Sequence, residues 1–352
     1  MRIAQIAPLT EAVPPKLYGG TERIVSYITE ELVALGHEVT LFASGDSITK
    51  ATLAPMCQKA LRLDPSVRDP NAPLTLMLEQ VYRRRHEFDL LHFHLDYLPF
   101  PLFSRQGVPF VTTMHGRLDL PELQPVFDTF NTAPVVSISN DQRQPLPQAN
   151  WAGTVYHGLP EKLLTPRDDA KPGYLAFLGR IAPEKRCDRA IEIAIATNTP
   201  LKIAAKVDRV DVDYFERTIK PMLAHPLVEF IGEINETQKQ DFLANAIALL
   251  TPIDWPEPFG LVMIEAMACG TPVIAFRHGS VAEVVDDGVT GFAVTSMAEA
   301  IGAVARARAL PRAAVRAHFE RRFTGRRMAE DYVTLYERLC RREKPALAVA
   351  AE

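Results

Sequence analysis

The chain has 352 residues, more than one ordinary hydrophobic core organises, and this length fits two domains. Hydrophobic residues make up 47% and charged residues 23%, as in an ordinary globular protein, and the net charge of −4 gives no argument for nucleic-acid binding. Four cysteines without a C-x-x-C pair favour reduced thiols and a cytoplasmic enzyme. We recognise no signal peptide, and no apolar run approaches the ~20 residues of a membrane span.

The positive charge is concentrated near the end of the chain. Residues 305–344 hold twelve Arg or Lys against five Asp or Glu, a balance of +7, so the remainder carries −11 (−4 minus 7). With the run Arg83-Arg84-Arg85, this leaves two interpretations open: a solvated helix face, or weak peripheral contact with an anionic membrane.

The first half of the chain begins with a strand, a helix and a second strand. Residues 2–8 form a short apolar run, a loop rich in Pro and Gly spans 14–20, and apolar residues then recur at helical spacing over 24–35. Gly36 stands where a helix end is expected, and 39–43 is the next strand. This order predicts a parallel sheet, with further strands at 89–93, 108–114, 134–138 and 153–156.

A second series of the same kind follows a linker at 157–172, which is rich in Pro, Gly and charge. Strands are predicted at 174–178, 201–205, 228–231, 248–252 and 271–275, with helices at 187–197 and 237–246. The sequence therefore predicts an α/β protein with two doubly wound parallel-sheet domains and a ligand cleft between them.

The segment 257–275 carries the strongest motif. Glu257-Pro-Phe-Gly260 reads as a tight loop, and a helix follows from Leu261 to Cys269, with Glu265 just inside it. The first amides of a helix lack intrahelical acceptors and bind anions such as a diphosphate. The two carboxylates can grip hydroxyls of a sugar and a ribose, or merely complement the helix dipole and face solvent.

Two cations follow another predicted strand. The strand 174–178 is expected to end at Gly179, so that Arg180 and Lys185 lie in the loop, where paired cations can neutralise a diphosphate. Ordinary loop charges are the competing interpretation.

Further candidates lie at loop positions of both halves. Tyr18-Gly19-Gly20-Thr-Glu joins the first strand to the first helix and allows close approach of a ligand, although it is no dinucleotide fingerprint. His92, His94 and His115 stand at strand ends, as ligand-binding or as core histidines. No third ligand supports a metal at His92 and His94.

Two short patterns are interpreted as structural. Asp211-x-Asp213 resembles a metal-binding D-x-D, but a solvated helix start is favoured. Ser280-x-x-Glu283 matches a capping box, which assigns Glu283 to a helix N-terminus.

Together these residues resemble glycosyltransferase family four, the retaining group 1 enzymes with the GT-B fold. The run Glu257-x7-Glu265 followed by Ala-Met-Ala-Cys-Gly-Thr-Pro-Val-Ile-Ala is similar to the family's E-x7-E signature, and Gly179-Arg180 with Glu184-Lys185 is similar to its phosphate-binding segment. The resemblance implies two Rossmann-like domains facing across a cleft. An acceptor domain would span 1–158, completed by a helix at about 328–344, and a donor domain 159–327.

The resemblance also implies roles for individual residues. Arg180 and Lys185 would bind the donor diphosphate, Glu257 the donor sugar and Glu265 the ribose. His115 would lie beside the sugar, and a catalytic set of Glu257, His115, Arg180 and Lys185 follows. The remaining donor-binding residues would be Gly19, Gly20, Phe259, Gly260, Leu261 and Val262.

The resemblance is less specific about the donor, the acceptor and any metal or cofactor. The resemblance favours a UDP-hexose as donor, with no metal and no cofactor, and leaves the acceptor open among a sugar, a lipid-linked sugar and a small metabolite. Lys206 and Asp208 stand where the family often has a Gly-rich turn, and His157-Gly158 where it has Asn-Gly. A nucleotide-sugar epimerase, a phosphorylase of the same fold and an inactive nucleotide-sugar-binding protein are the alternatives.

Overall fold

The computed structural model describes residues 1–16 and 19–342, without the side chain of residue 342. Tyr18 and the last two residues of the predicted return helix, 343 and 344, lie outside these ranges. The chain divides into two compact units. The first comprises Met1–Ile138, Arg143–His157 and the C-terminal segment from Gly325. The second comprises Ser139–Gln142 and Gly158–Thr324.

The first unit contains a seven-stranded sheet in the order β3-β2-β1-β4-β5-β6-β7, with every described pair parallel. Its strands are β1 (Arg2–Ile6), β2 (Glu38–Ser44), β3 (Thr52–Cys57), β4 (Leu90–Phe93), β5 (Phe110–Thr113), β6 (Val135–Ser137) and β7 (Trp151–Thr154). Its helices are α1 (Gly20–Ala34), α2 (Asn71–Arg84), α3 (Phe100–Phe103), α4 (Leu123–Thr129) and the C-terminal helix numbered α13 below.

The predicted order of strand, helix and strand at the start of the chain is confirmed. Helix α1 buries Ile24, Val25, Ile28 and Leu32, and Gly36 after it has φ +85°, a conformation that glycine adopts without strain. The sequence did not predict β3. This strand lies at the edge of the sheet and contains Pro55, which lacks an N–H to donate, so its pattern is that of an irregular segment.

The second unit contains a six-stranded parallel sheet in the order β10-β9-β8-β11-β12-β13. Its strands are β8 (Tyr174–Ile181), β9 (Leu201–Val207), β10 (Val228–Gly232), β11 (Ala246–Thr251), β12 (Val273–Phe276) and β13 (Gly291–Val294). Its helices are α5 (Cys187–Ala196), α6 (Val212–Tyr214), α7 (Lys220–Met222), α8 (Glu236–Ala244), α9 (Leu261–Ala268), α10 (Val281–Val284), α11 (Met297–Arg308) and α12 (Arg312–Arg322).

Buried aliphatic side chains of α5, α11 and the central strands form the core of this unit, among them Ile191, Ile203, Leu250 and Val304. All five predicted strands and both predicted helices are present, with shifted ends. The short strand β13 was not predicted, because four residues between a turn and the next helix carry little periodicity.

Helix α13 (Gly325–Arg342) belongs to the first unit, where it contacts α1. It buries Met328, Tyr332, Leu335 and Tyr336, an apolar stripe at helical spacing. Many arginines of the basic segment are paired with acids one turn away on the same helix: Arg316 with Glu320, Arg326 with Glu330, Arg327 with Asp331 and Arg341 with Glu337. In the described part of the chain, no helix has the length and apolarity to cross a bilayer.

Candidate active site

In the second unit, the loop between β11 and α9 ends in a left-handed glycine. Gly260 has φ +78° and ψ 67° and stands directly before Leu261, the first residue of α9. This positive φ favours glycine, and an added Cβ atom would also lie 2.6 Å from the flexible end of the Met263 side chain. The backbone therefore presents the first amides of α9, including that of Val262, at a helix N-terminus, where an anion is favoured.

The carboxylate of Glu257 lies in this loop and forms an ion pair with Lys185. Trp255 donates its indole N–H to the same carboxylate oxygen at 3.1 Å, and the Lys185 ammonium lies 4.8 Å from the centre of the indole ring. The Glu257 side chain is 13% exposed and that of Lys185 is 25% exposed. A cation and a carboxylate predicted from separate motifs are thus brought together, partly buried, on one loop surface.

Asp254 holds the two segments that carry this pair. Its carboxylate accepts hydrogen bonds from Arg186 at 2.9 Å and from Arg189 at 3.1 Å, and its backbone N–H donates to the carbonyl of Glu184. Lys185 lies between Glu184 and Arg186, so Asp254 holds both of its sequence neighbours, Glu184 through the backbone and Arg186 through the guanidinium. No local pattern singles out Asp254, because its partners lie about 65 residues away in the sequence.

A second loop, at residues 279–280, supports the backbone of the segment that carries Glu257. Gly279 has φ +57°, and a Cβ atom there would come within 2.3 Å of the backbone N and O of Glu257. Ser280 donates its backbone N–H to the Glu257 carbonyl at 2.9 Å and its hydroxyl to the carbonyl of Phe259 at 2.8 Å. The backbone of residues 257–259 is therefore fixed by direct contact with residues 279–280.

The capping box predicted for Ser280 and Glu283 is wrong. Because the Ser280 hydroxyl is used by Phe259, it does not cap α10. The Glu283 carboxylate instead accepts hydrogen bonds from the backbone N–H groups of Asn140 and Asp141 and from the Asn140 side chain, at 2.8–2.9 Å. Glu283 thus holds a segment more than 140 residues away in the sequence.

Glu265 lies inside α9 and is only 4% exposed. Its carboxylate accepts a hydrogen bond of 2.7 Å from Lys239 of α8, whose side chain is 11% exposed and also lies 3.6 Å from Glu236. The alternative of a solvated helix residue is therefore excluded for Glu265. Lys239 was missed, since a lysine in a polar helix is an ordinary surface residue in the sequence.

Arg180 does not lie in a loop as predicted. Strand β8 continues through Gly179 to Ile181, and Arg180 pairs in register with Lys206 of β9, because both strands are longer than their apolar runs. The guanidinium contacts Glu184 at 2.5 Å and lies 3.6 Å from Asp211 and 3.8 Å from Asp208.

The acidic surroundings of Arg180 also correct the interpretation of Asp211-x-Asp213. The Asp213 side chain is 87% exposed, but that of Asp211 is only 10% exposed, and burial raises the pKa of its carboxyl group. Asp211 therefore belongs to the Arg180 cluster rather than to a solvated helix start. Lys206 pairs with Asp208 at 2.9 Å. In the part of the chain that the structure describes, no group of three or more His, Cys, Asp or Glu side chains is placed to hold a metal ion.

In the first unit, Gly19 and Gly20 open α1. A Cβ atom at Gly19 would come within 2.8 Å of Pro15, so the loop packs closely there. Glu22 in the first turn is 6% exposed, and burial raises its pKa despite hydrogen bonds from its own backbone N–H and that of Glu11. The buried Glu22 thus ties the loop to the start of the helix.

His115 follows β5 and is half-buried. Its Nε2 lies 2.9 Å from Nδ1 of His94, and its ring stacks on that of His157 with a centroid distance of 5.4 Å. Burial lowers the pKa of His115 to about 3. His92 and His94 are 0% and 3% exposed, so these two are core histidines, the structural interpretation left open above. His157, assigned by composition to a linker, is 3% exposed.

These two units, each a parallel sheet between helices, define the GT-B class of glycosyltransferase folds. Residues 165–310 match the model of the glycosyl transferases group 1, and residues 18–152 match the model of glycosyltransferase family 4. The chain belongs to this family of glycosyltransferases.

Known proteins align with different lengths of this chain. An uncharacterized glycosyltransferase of Methanocaldococcus jannaschii is 27% identical over 225 residues, which are 58% of this chain and 60% of that protein. The chain spans only 33% and 30% of the length of the next two curated relatives.

Solved structures match almost the whole chain. A glycosyltransferase involved in avilamycin A biosynthesis has a TM-score of 0.75 at 24% identity, covering 97% of this chain and 98% of that one. Anabaena HepE in complex with UDP and glucose has a TM-score of 0.72 at 19% identity, covering 96% and 100%. At these identities, the likeness concerns the fold.

Proposed function

We propose that the protein transfers a hexose from a nucleoside diphosphate sugar, with UDP as the nucleotide, to a hydroxyl of an acceptor. The observation that carries the proposal is the Lys185–Glu257 pair beside the N-terminus of α9. The helix amides and the lysine provide positive charge for a diphosphate, and the carboxylate accepts hydrogen bonds from sugar hydroxyls. UDP is favoured by the likeness to HepE, whose structure contains UDP and glucose.

Both acidic residues of the motif have lysine partners, which favours a mechanism without a covalent sugar-enzyme intermediate, and the retention of anomeric configuration that the family resemblance implies is part of this proposal. Glu257 is paired with Lys185 and Glu265 with Lys239, so neither is a free carboxylate ready to attack the sugar. The site instead concentrates its positive groups where the leaving diphosphate gains charge, where electrostatic stabilisation is most effective. The acceptor would enter on the side that the diphosphate leaves.

Charge neutralisation by Lys185, Arg180 and the amides of α9 makes the reaction independent of a divalent metal in this proposal. Activity is expected to persist in EDTA. Loss of activity in EDTA with recovery on adding Mn²⁺ would contradict the metal-independent mechanism. NMR of the product linkage tests the stereochemistry, and an inverted linkage from an α-linked donor would refute retention.

The donor is tested by thermal shift with UDP, GDP, ADP and their sugars, since a ligand of the native state raises its stability by mass action. Lys185→Ala is expected to weaken binding of the best donor by about 1.5–3 kcal/mol, the value of a hydrogen bond to a charged group. Lys220→Ala is the matched control, because this lysine is 59% exposed and pairs with Glu216 on its own helical segment. Equal binding by both variants would place the diphosphate elsewhere.

A donor turnover assay separates the alternatives. A glycosyltransferase releases UDP from UDP-glucose. The release is slow when water receives the glucose and faster when an acceptor receives it. An epimerase would convert the sugar without releasing UDP, and an inactive binding protein would bind the donor and leave it unchanged. Release of UDP that is lost in Glu257→Gln, with nucleotide affinity largely kept, is the expected result.

A further inference from the structure

Polar side chains form a continuous hydrogen-bonded chain inside the first unit. Each is at most 3% exposed, and together they are Gln5, His92, His94, Thr113, Tyr332 and Tyr336. This hydrogen-bonded series ends at the half-buried His115. Buried polar groups are stable when each is hydrogen-bonded, so the series is a structural part of the core.

The sheet places these residues on one face. Gln5 of β1 and His92 of β4 are partners in register, and His94 lies two residues further along. Thr113 ends β5, two residues beyond the partner of His92. Because side chains alternate along a strand, these four point to the same side, where α13 supplies its two tyrosines one turn apart.

The Gln5 amide sets the donor-to-acceptor direction of the hydrogen bonds through His94 to His115. Its Oε1 can only accept, so His94 donates Nε2–H to it at 2.8 Å. A neutral imidazole carries one N–H, so Nδ1 of His94 accepts a hydrogen bond. The donor is Nε2–H of His115, at 2.9 Å. In a neutral His115, Nδ1 then carries the lone pair.

The hydrogen bonds continue on the other side of Gln5. Its amide N–H donates to the Tyr336 hydroxyl at 3.2 Å, and that hydroxyl lies 2.6 Å from Nδ1 of His92. Nε2 of His92 lies 2.7 Å from the Thr113 hydroxyl, which lies 2.8 Å from the hydroxyl of Tyr332. The tautomer of His115 depends only on the contacts from Gln5 through His94, where the amide oxygen sets the direction.

Burial keeps the histidines neutral. The pKa of His92 and that of His94 are lowered well below the usual value because burial disfavours the charged imidazolium. The tautomer of His115, rather than its charge, is therefore the property that its neighbours can set.

We propose that His94 is a positioning residue that holds His115 in the Nε2–H tautomer, with Nδ1 as a hydrogen-bond acceptor for a sugar hydroxyl. The identity of the ligand rests on the function proposed above. A phosphate or carbonyl oxygen only accepts and cannot pair with this nitrogen, whereas a hydroxyl can donate to it. The stacked ring of His157, at an interplanar angle of 18°, holds the imidazole plane.

Nitrogen-15 NMR of the histidine-labelled protein tests the tautomer without any substrate. Nine histidines are present, and the His115→Gln variant identifies the signals of His115. The expected spectrum shows a protonated Nε2 and an unprotonated Nδ1 for His115 at neutral pH. A protonated Nδ1, or comparable amounts of both tautomers, would overturn the proposal.

Variants test whether His94 sets the tautomer. His94→Phe should give a mixture of tautomers and lower kcat/KM by about tenfold, the rate factor of one net hydrogen bond. Gln5→Met, of similar shape without the amide, should produce the same mixture and provides a second route if the first variant does not fold. Thr113→Val is the matched control, because it breaks the chain beyond Gln5 and should leave the tautomer of His115 unchanged.

The outcomes separate the two proposals. A fixed Nε2–H tautomer in a protein that transfers no sugar would contradict the proposed function and leave the role of His94 standing. Sugar transfer with an unchanged tautomer in His94→Phe would contradict the role of His94 alone. A mixture in Thr113→Val equal to that in His94→Phe would show a general packing effect and overturn the positioning role.

Discussion

Replacing Gly279 by alanine should displace the loop of residues 257–259, which carries the Glu257 carboxylate in the second unit. Gly279 has φ +57°, and an added Cβ atom would lie 2.3 Å from the backbone N and O of Glu257 and 2.7 Å from the carbonyl carbon of Pro256. An L-residue in the left-handed region costs about 1–2 kcal/mol. Overpacking against fixed backbone adds about 1–3 kcal/mol, so the total is about 2–5 kcal/mol.

Gly288 provides the matched control. It lies in the same unit at φ +77°, and a Cβ atom there would meet nothing within 4 Å. Gly288→Ala should therefore cost only the conformational term, about 1–2 kcal/mol. The difference between the two variants isolates the contact with Glu257.

Urea unfolding followed by tryptophan fluorescence measures the difference. The chain has two tryptophans, Trp151 in the first unit and Trp255 beside Glu257, so a Trp151→Phe background reports on the second unit. Gly279→Ala should have the lower midpoint and should bind UDP-glucose at least about tenfold more weakly, since a charged contact at the loop is lost. Equal midpoints and equal donor affinity in the two alanine variants would refute the supporting role of Gly279.

Three further predictions concern charge. The pKa of His92, His94 and His115 is lowered in the folded state, so the unfolded chain binds more protons below pH 6.5. The first unit should therefore lose stability as pH falls from 6.5 towards 3, by up to about 1.4 kcal/mol per pH unit for each histidine. Trp151 fluorescence measures this loss, and a flat profile would contradict it. Asp208→Asn should strengthen UDP binding by about two- to fivefold at low salt, because it removes an anion that competes for Arg180. Weaker binding in titration calorimetry would show that Asp208 instead orients the guanidinium. Weak peripheral membrane contact predicts flotation with anionic liposomes at low salt, where screening is least; absence of flotation would leave the ion-paired helix face as the interpretation of the basic segment.

Local patterns in the sequence determined most of the fold. Helix α1 follows from apolar residues at helical spacing with Gly36 at its end, and α9 from the run between Gly260 and Gly270. These signals depend on neighbours within one or two turns, which a single sequence displays directly. The E-x7-E run and the Arg180 and Lys185 positions determined the family, and the family matches agree.

The partners of the charged residues were decided by the tertiary structure. Arg180 lies in a strand among Glu184, Asp208 and Asp211, although its sequence reads as a loop. The Ser280 hydroxyl binds the Phe259 carbonyl instead of capping its own helix. In both cases a contact outside the local segment replaces the one that local spacing predicts, because a buried polar group takes the partner that packing provides.

The hydrogen-bonded series that contains Gln5 and His115 shows most clearly which contacts local sequence patterns cannot predict. Gln5 and Tyr336 are separated by 331 residues and are hydrogen-bonded. No periodicity in either segment predicts this contact, because it exists only when β1, β4, β5 and α13 are assembled. The sequence by itself determined which residue types are present at the strand ends. Assembly of the sheet decided that His115 has a neighbour able to set its tautomer, since only adjacent parallel strands bring those ends within hydrogen-bonding distance.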